Sequence, residues 1–289
     1  MEKFFINKPL EKRDYSFVVL PDTQNIIENK EEYYLKMMRW IRDNKEEYNI
    51  KAVIHMGDIV NVNTDKQWEI AKEGFDYINS AKIPFIPMMG NHDDPDYFHK
   101  YVKYEDYSQN SWFGGTYSDN NLDQFYYYIK CDKKEYIVIS LGWAPSNDVL
   151  KWAGKIIDEN CDKNIIISTH ALMHRNGKLL QKEHQYSITS YPGYENNCEG
   201  YEIWENFKDK KNVLFTLSGH ISSSDISVYY ENNIPSLLFD NQDEDKRDHL
   251  CMMGLLSFNN NECFINWYSF GKEALYKEEN QFAIKLNYI

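Results

Sequence analysis

This sequence has no CxxC pair, no apolar run long enough to cross a bilayer and no run of basic residues. Its five cysteines (Cys131, Cys161, Cys198, Cys251, Cys263) are odd in number and widely spaced, which reads as buried thiols in a reducing compartment. The N-terminus also lacks the apolar stretch of a signal peptide, so a soluble, cytoplasmic protein with no membrane partner is expected. Lys+Arg number 32 against 45 Asp+Glu, a net charge of −13. That balance weighs against long nucleic acid, whose phosphate backbone is bound by clustered Lys and Arg. Bound divalent cations would offset part of the acidic excess. No repeat, low-complexity tract or Pro/Gly/Ser linker divides the chain, so residues 1–289 read as a single domain.

Hydrophobic content of 42% is enough for a substantial core, and aromatic content is high at 16%, so rings are expected in pockets as well as in the interior. Apolar runs predict strands at 17–20, 52–56 and 84–88, and amphipathic spacing predicts helices over 30–45 and 67–78 between them. This alternation argues for a βαβ layer with parallel strands. Residues 97–123, rich in aromatics and with little periodicity, read as a long surface excursion. Further strands are expected at 124–129, 135–141, 164–168 and 213–217, with helices at 147–159 and 200–207. Residues 175–198 are polar and turn-rich. A C-terminal antiparallel β segment is expected over 250–289, with strands at 254–258, 263–270 and 281–286 and a turn at Asn259-Asn260-Asn261. The acidic stretch 240–248 reads as a solvated loop.

Five short segments carry metal-binding side chains: Asp22-Thr23-Gln24, Gly57-Asp58, Gly90-Asn91-His92-Asp93, Thr169-His170 and Gly219-His220. Four follow apolar runs, which puts their polar groups at strand carboxyl ends, where open α/β sheets bind ligands. Each segment alone is weak, since Asp22 suits a helix cap and a lone His is usually structural. Together and in this order they resemble the calcineurin-like metallophosphoesterase superfamily. LPDTQ at 20–24, GDIVNVN at 57–63 followed by QW, SWFGGTY at 111–117 and the terminal GLLSF and INWYSF segments resemble a bacterial branch whose first motif carries Gln.

The resemblance implies an α/β fold of two facing mixed β-sheets flanked by helices, a metallophosphoesterase-type β-sandwich. It implies two divalent ions, drawn from Mn, Fe, Zn, Mg or Ca, with Asp58 bridging them. Asp22 and Gln24 would complete the first site; Asn91, His170 and His220 the second. His92 would act at the phosphate, with Asp93 orienting its ring, and Trp112 is a candidate wall of the substrate pocket beside Asn91. Two departures concern the first ion: Gln24 stands where His is usual, and Ser222 stands where the last motif has a second His. Oxygen-rich ligation there favours Mn²⁺, Mg²⁺ or Ca²⁺ over Zn²⁺. Asn61 and Asn63 follow Gly57-Asp58, and no Arg follows until Arg175, unlike the protein Ser/Thr phosphatases of the superfamily.

The activity expected is metal-activated hydrolysis of a small phosphomonoester or phosphodiester. A nuclease or cyclic-nucleotide phosphodiesterase is the rival of the same chemistry. A metal-binding scaffold without turnover is the rival of another class. His55, inside the strand before Gly57-Asp58, reads as a packed residue or one behind the metal ligands, and His99 and His249 as loop residues. His174 shares helical spacing with His170, and His184 has no assigned role.

Overall fold

Runs of Val, Ile, Leu and Phe without alternating polar positions make strands buried on both faces, and such strands form the centre of this protein. The computed structural model describes residues 4–289. From the N-terminus, β1 (Phe5–Ile6) and β2 (Tyr15–Leu20) lead to α1 (Gln24–Asn29), α2 (Glu31–Asp43), β3 (Ile50–His55), α3 (Asp65–Ser80) and β4 (Phe85–Ile86). Next come α4 (Pro95–Tyr101), α5 (Tyr104–Ser108), β5 (Phe113–Thr116), β6 (Phe125–Cys131), β7 (Lys134–Ser140), α6 (Asn147–Glu159) and β8 (Asn164–Ser168). A short hairpin of β9 (Met173–His174) and β10 (Lys178–Leu179) precedes α7 (Gly200–Phe207), β11 (Val213–Ser218), β12 (Ser227–Glu231), β13 (Ile234–Leu238) and α8 (Gln242–Asp248). The chain closes with β14 (Met252–Asn259), β15 (Glu262–Ser269), β16 (Ala274–Tyr276) and β17 (Phe282–Lys285).

Two mixed sheets result. The first runs β1-β16-β15-β14-β2-β3-β4, with β17 also on β15; the second runs β12-β13-β11-β8-β7-β6-β5. In the first, β2, β3 and β4 are mutually parallel; in the second, β7, β8, β11 and β13 are. The sheets face each other through aromatic rings: Phe17 meets Tyr136 at a centroid distance of 5.3 Å, and Phe215 meets Phe258 at 6.2 Å. Helices cover the outer faces. Tyr34, Met38, Ile41, Trp68, Phe75 and Ile78 of α2 and α3 join the core of the first sheet. Val149, Leu150, Ile203, Trp204 and Phe207 of α6 and α7 pack outside the second. Apolar residues three or four apart give each helix its buried stripe. Thr64 caps α3 by accepting from the Gln67 amide, and Asp94 caps α4 ahead of Pro95.

The expected alternation and the C-terminal hairpin are present, the latter with Phe258 opposite Cys263 across its turn. Two segments and two histidines differ from expectation. Residues 97–123 hold α4, α5 and β5, and β5 pairs with β6 as a sheet edge. The stretch 240–248 is not a solvated loop: it contains α8, and Asp240, Asn241 and Asp245 are buried. His99 lies in α4, pairing with Asp123, rather than in a loop. His174 belongs to β9, so its spacing from His170 is not helical.

The parallel strands set the position of the site. The segments after β2, β3, β4, β8, β11 and β13 all leave the carboxyl edge of their sheets, carrying Asp22, Asp58, Asn91, His170, His220 and Asp240.

Candidate metal centre

The backbone at this edge is held in unusual shapes. Asp58 has φ 50° and His220 φ 71°, a left-handed region that non-glycine residues rarely adopt and that clusters at functional sites. Gly57 precedes Asp58 with φ 97°, and a Cβ there would lie 2.5 Å from His170 Nδ1. A Cβ on Gly90 would lie 2.2 Å from Asp58 Oδ1, so glycine at both positions lets three segments converge.

Asp58, His170 and His220 are buried and offer ligand atoms all within 4.8 Å of one another. His170 Nδ1 donates to the Met56 carbonyl at 2.6 Å, which fixes the ring. Its Nε2 then faces Asp58 Oδ1 at 3.3 Å and Asn91 Oδ1 at 3.0 Å. His220 Nε2 donates to the Tyr186 carbonyl at 2.8 Å, leaving Nδ1 as its lone-pair atom. The His220 amide donates to Asp22 Oδ2 at 3.2 Å, and the His92 amide to Asp58 Oδ1 at 2.9 Å. Trp143 walls the pair of imidazoles, its ring 5.6 Å from His170 and 4.9 Å from His220.

Electrostatics follow from burial and crowding. Burial, then Asp240 and Asp58, push the Asp22 carboxyl well above its ordinary value. Burial raises Asp240 to about 7 despite the donors of Gln242, and burial with Asp58 raises Asp93 to about 7. Burial would also raise Asp58, but His170 and His92 outweigh it and hold that carboxyl low. For His170 the balance is reversed: burial lowers it, and Asp58 with the Met56 carbonyl produces a net rise. Burial, with His170 nearby, lowers His220 and His55 to about 3.

These donors fit divalent cations. Asp22, Asp58, Asp93 and Asp240 are all buried, and among the described residues no Lys or Arg pairs with any of them. Gln24 is 1% exposed, and its Oε1 has no hydrogen-bond partner among the described residues. Buried charge and an orphaned buried oxygen are costly unless a cation meets them.

Asp22, Gln24, Asp58, Asn91, His170 and His220 therefore come to one edge. His92 is exposed and lines the same cavity of about 230 Å³, together with Asp58, Asn91, Arg175, Tyr186 and Tyr191. Asp93 is buried at the same edge, and its carboxylate accepts from the Ile59, Val60 and Gly90 amides, tying two loops together; among the described residues no hydrogen bond joins it to the His92 ring. Trp112 does not line this cavity. It lines a hollow with Lys45, Lys51, Pro84 and Tyr128 at the opposite, amino-terminal edge of β3 and β4. His55 supports the Asp58 turn: its Nδ1 accepts from the Gly57 amide at 3.0 Å and its Nε2 donates to Thr23 Oγ1 at 3.0 Å.

Sequence reasoning missed Asp240, Gln242, Tyr186 and Tyr191. Asp240 did carry a signal, an apolar strand ending in Asp, as at Asp22. The acidic residues that follow masked it, because such a run usually faces water.

The model of the calcineurin-like phosphoesterases matches residues 15–224. The uncharacterized protein YvnB of Bacillus subtilis (strain 168) is 29% identical over 224 residues, or 75% of this chain. The chain spans only 16% of that relative's length. A dimetal phosphatase from Danio rerio superposes with a TM-score of 0.60 at 9% identity, over 96% of this chain and 100% of that one. GAP50, described as the anchor in the inner membrane complex of Plasmodium, gives 0.56 at 13% identity, over 95% of this chain and 89% of its own. At such identities these two structures speak for the fold.

Proposed function

Since this chain belongs to the calcineurin-like phosphoesterase family, we propose that it hydrolyses a small phosphomonoester or phosphodiester with two divalent cations held by Asp22, Gln24, Asp58, Asn91, His170 and His220. The observation that carries this reading is the buried convergence of Asp58, His170 and His220 beneath a cavity that His92 and Arg175 also line. Cations there supply Lewis acidity to the phosphoryl oxygens and lower the pKa of the attacking water.

The chain's own groups do the rest. The His92 amide and His170 hold the Asp58 carboxylate in a fixed orientation, in which it would serve as a cation ligand. His92, exposed on the cavity wall, donates a proton to the departing oxygen. Arg175, the only Lys or Arg lining the cavity among the described residues, pairs with phosphoryl oxygens. Tyr186 and Tyr191 flank the opening and limit the size of the leaving group. A cavity of about 230 Å³ on a chain of charge −13 suits a small ester rather than a polymer.

The test is a panel of phosphomonoesters and phosphodiesters with several divalent ions. Wild type should turn over at least one class, and His92→Ala should lower kcat by ~10²–10⁴-fold with cations retained. Gln24 and Ser222, at positions where the family usually has His, favour the second reading of a scaffold that binds metal without turnover. Under it, wild type stays silent on every substrate while still binding cations.

A further inference from the structure

Gln24 presents a difficulty as a ligand. An amide has an oxygen that binds a cation and a nitrogen that does not, and nothing in the side chain itself decides which end faces the site. The surroundings of Gln24 decide it. Its Nε2 donates to Gln242 Oε1 at 2.5 Å, while its Oε1 is buried and has no partner among the described residues. Gln242 is oriented in turn by Asp240, whose carboxylate only accepts: Oδ1 takes the Gln242 amide at 2.8 Å and Oδ2 takes Nε2 at 3.0 Å. With Nε2 committed to Asp240, and close to Asp22 Oδ2 at 3.4 Å, Gln242 can present only Oε1 to Gln24. Asn25 closes the arrangement, its Nδ2 donating to the Gln242 carbonyl at 2.9 Å. The same segment reaches the other departure, because Ser222 Oγ accepts from the Asp243 amide at 3.1 Å.

We propose that Asp240 and Gln242 are positioning residues of the first cation site, forming a polarity relay that turns Gln24 Oε1, rather than Nε2, toward the ion. Both lie beyond residue 224, where the family match ends. The inference rests on the metal-dependent reading above and specifies how its first site is built. The relay makes up for imidazoles absent at 24 and 222: it fixes a neutral oxygen donor beside Asp22 and Asp58. Outer-shell partners of this kind typically set metal affinity by ~10–100-fold.

The test is a double-mutant cycle read by manganese binding, using titration calorimetry and electron paramagnetic resonance. Wild type should bind two ions. Gln242→Ala should weaken the first by ~10–100-fold and leave the second unchanged. Gln24→Glu offers an oxygen whichever way it faces, so in that background Gln242→Ala should change affinity by less than about threefold. Equal losses in both backgrounds, or none in either, would overturn the relay. If Gln242→Ala does not fold, Gln242→Met keeps the volume, removes the amide and carries the same comparison. Wild type binding one ion, unaffected by Gln242→Ala, would overturn this inference alone; wild type binding none would overturn the metal reading with it.

Discussion

Asp93 illustrates how a single side chain's role escapes linear reading. Its place in Gly90-Asn91-His92-Asp93 suggested a partner for His92, yet three backbone amides surround its carboxylate. Asp22, Asp58, His170 and His220 were legible because each closes an apolar run; Asp240 and Gln242 were not, because an acidic run usually faces water. The crowding of carboxylates has a consequence for stability. Asp22, Asp93 and Asp240 all have raised values, the last two about 7 against an ordinary 3.8, so the folded cation-free protein binds their protons more tightly than the unfolded chain. Their ionisation as pH rises from about 4 to about 7 therefore opposes folding. His170, also raised, acts the same way: its contribution is lost as pH rises through its folded value, above the ordinary 6.5. Asp58, held low, contributes stability that is already complete above about pH 4 and is lost only in stronger acid. His220 and His55, lowered to about 3, act oppositely, adding stability as pH rises toward the ordinary 6.5. Above about pH 6.5 only the raised groups still titrate, so thermal midpoints in EDTA should fall from there to about pH 7.5, and saturating manganese should abolish the fall.

At the scale of elements, helices and central strands followed from period and burial, with ends displaced by a few residues. The excursion 97–123 hid α4 and α5 because each is short and neither shows a full amphipathic period. The polar stretch before α7 is ordered by one buried acid. Glu199 accepts from the Ile188 and Thr189 amides at 3.1 and 2.7 Å and from Thr189 Oγ1 at 2.7 Å, while its own amide donates to Glu202. That stretch carries Tyr186 and Tyr191 to the cavity. Glu199→Ala leaves buried donors unmet, at a cost of about 2–3 kcal/mol. Amide exchange should accelerate across residues 181–198 and KM should rise, while manganese affinity stays within about twofold.

For the whole molecule, local patterns predicted parallel strands, but the facing sheets came from the family resemblance. The reason is physical: β14 lies beside β2, and β15 takes three partners, pairings between distant residues that no local window contains. The shared core between the sheets should unfold as a unit. Phe258 contacts Phe17 of its own sheet and Phe215 of the other. Phe258→Ala should cost about 3–5 kcal/mol in a urea transition that stays single, with both sheets losing protection together.

Asp22, Asp58 and Asn91 follow strands of one sheet, and His170 and His220 follow strands of the other. A cation seated among them would be a rivet through the sandwich, and its grip would be a gauge of alignment: a slight shear between the layers would register first as a looser ion.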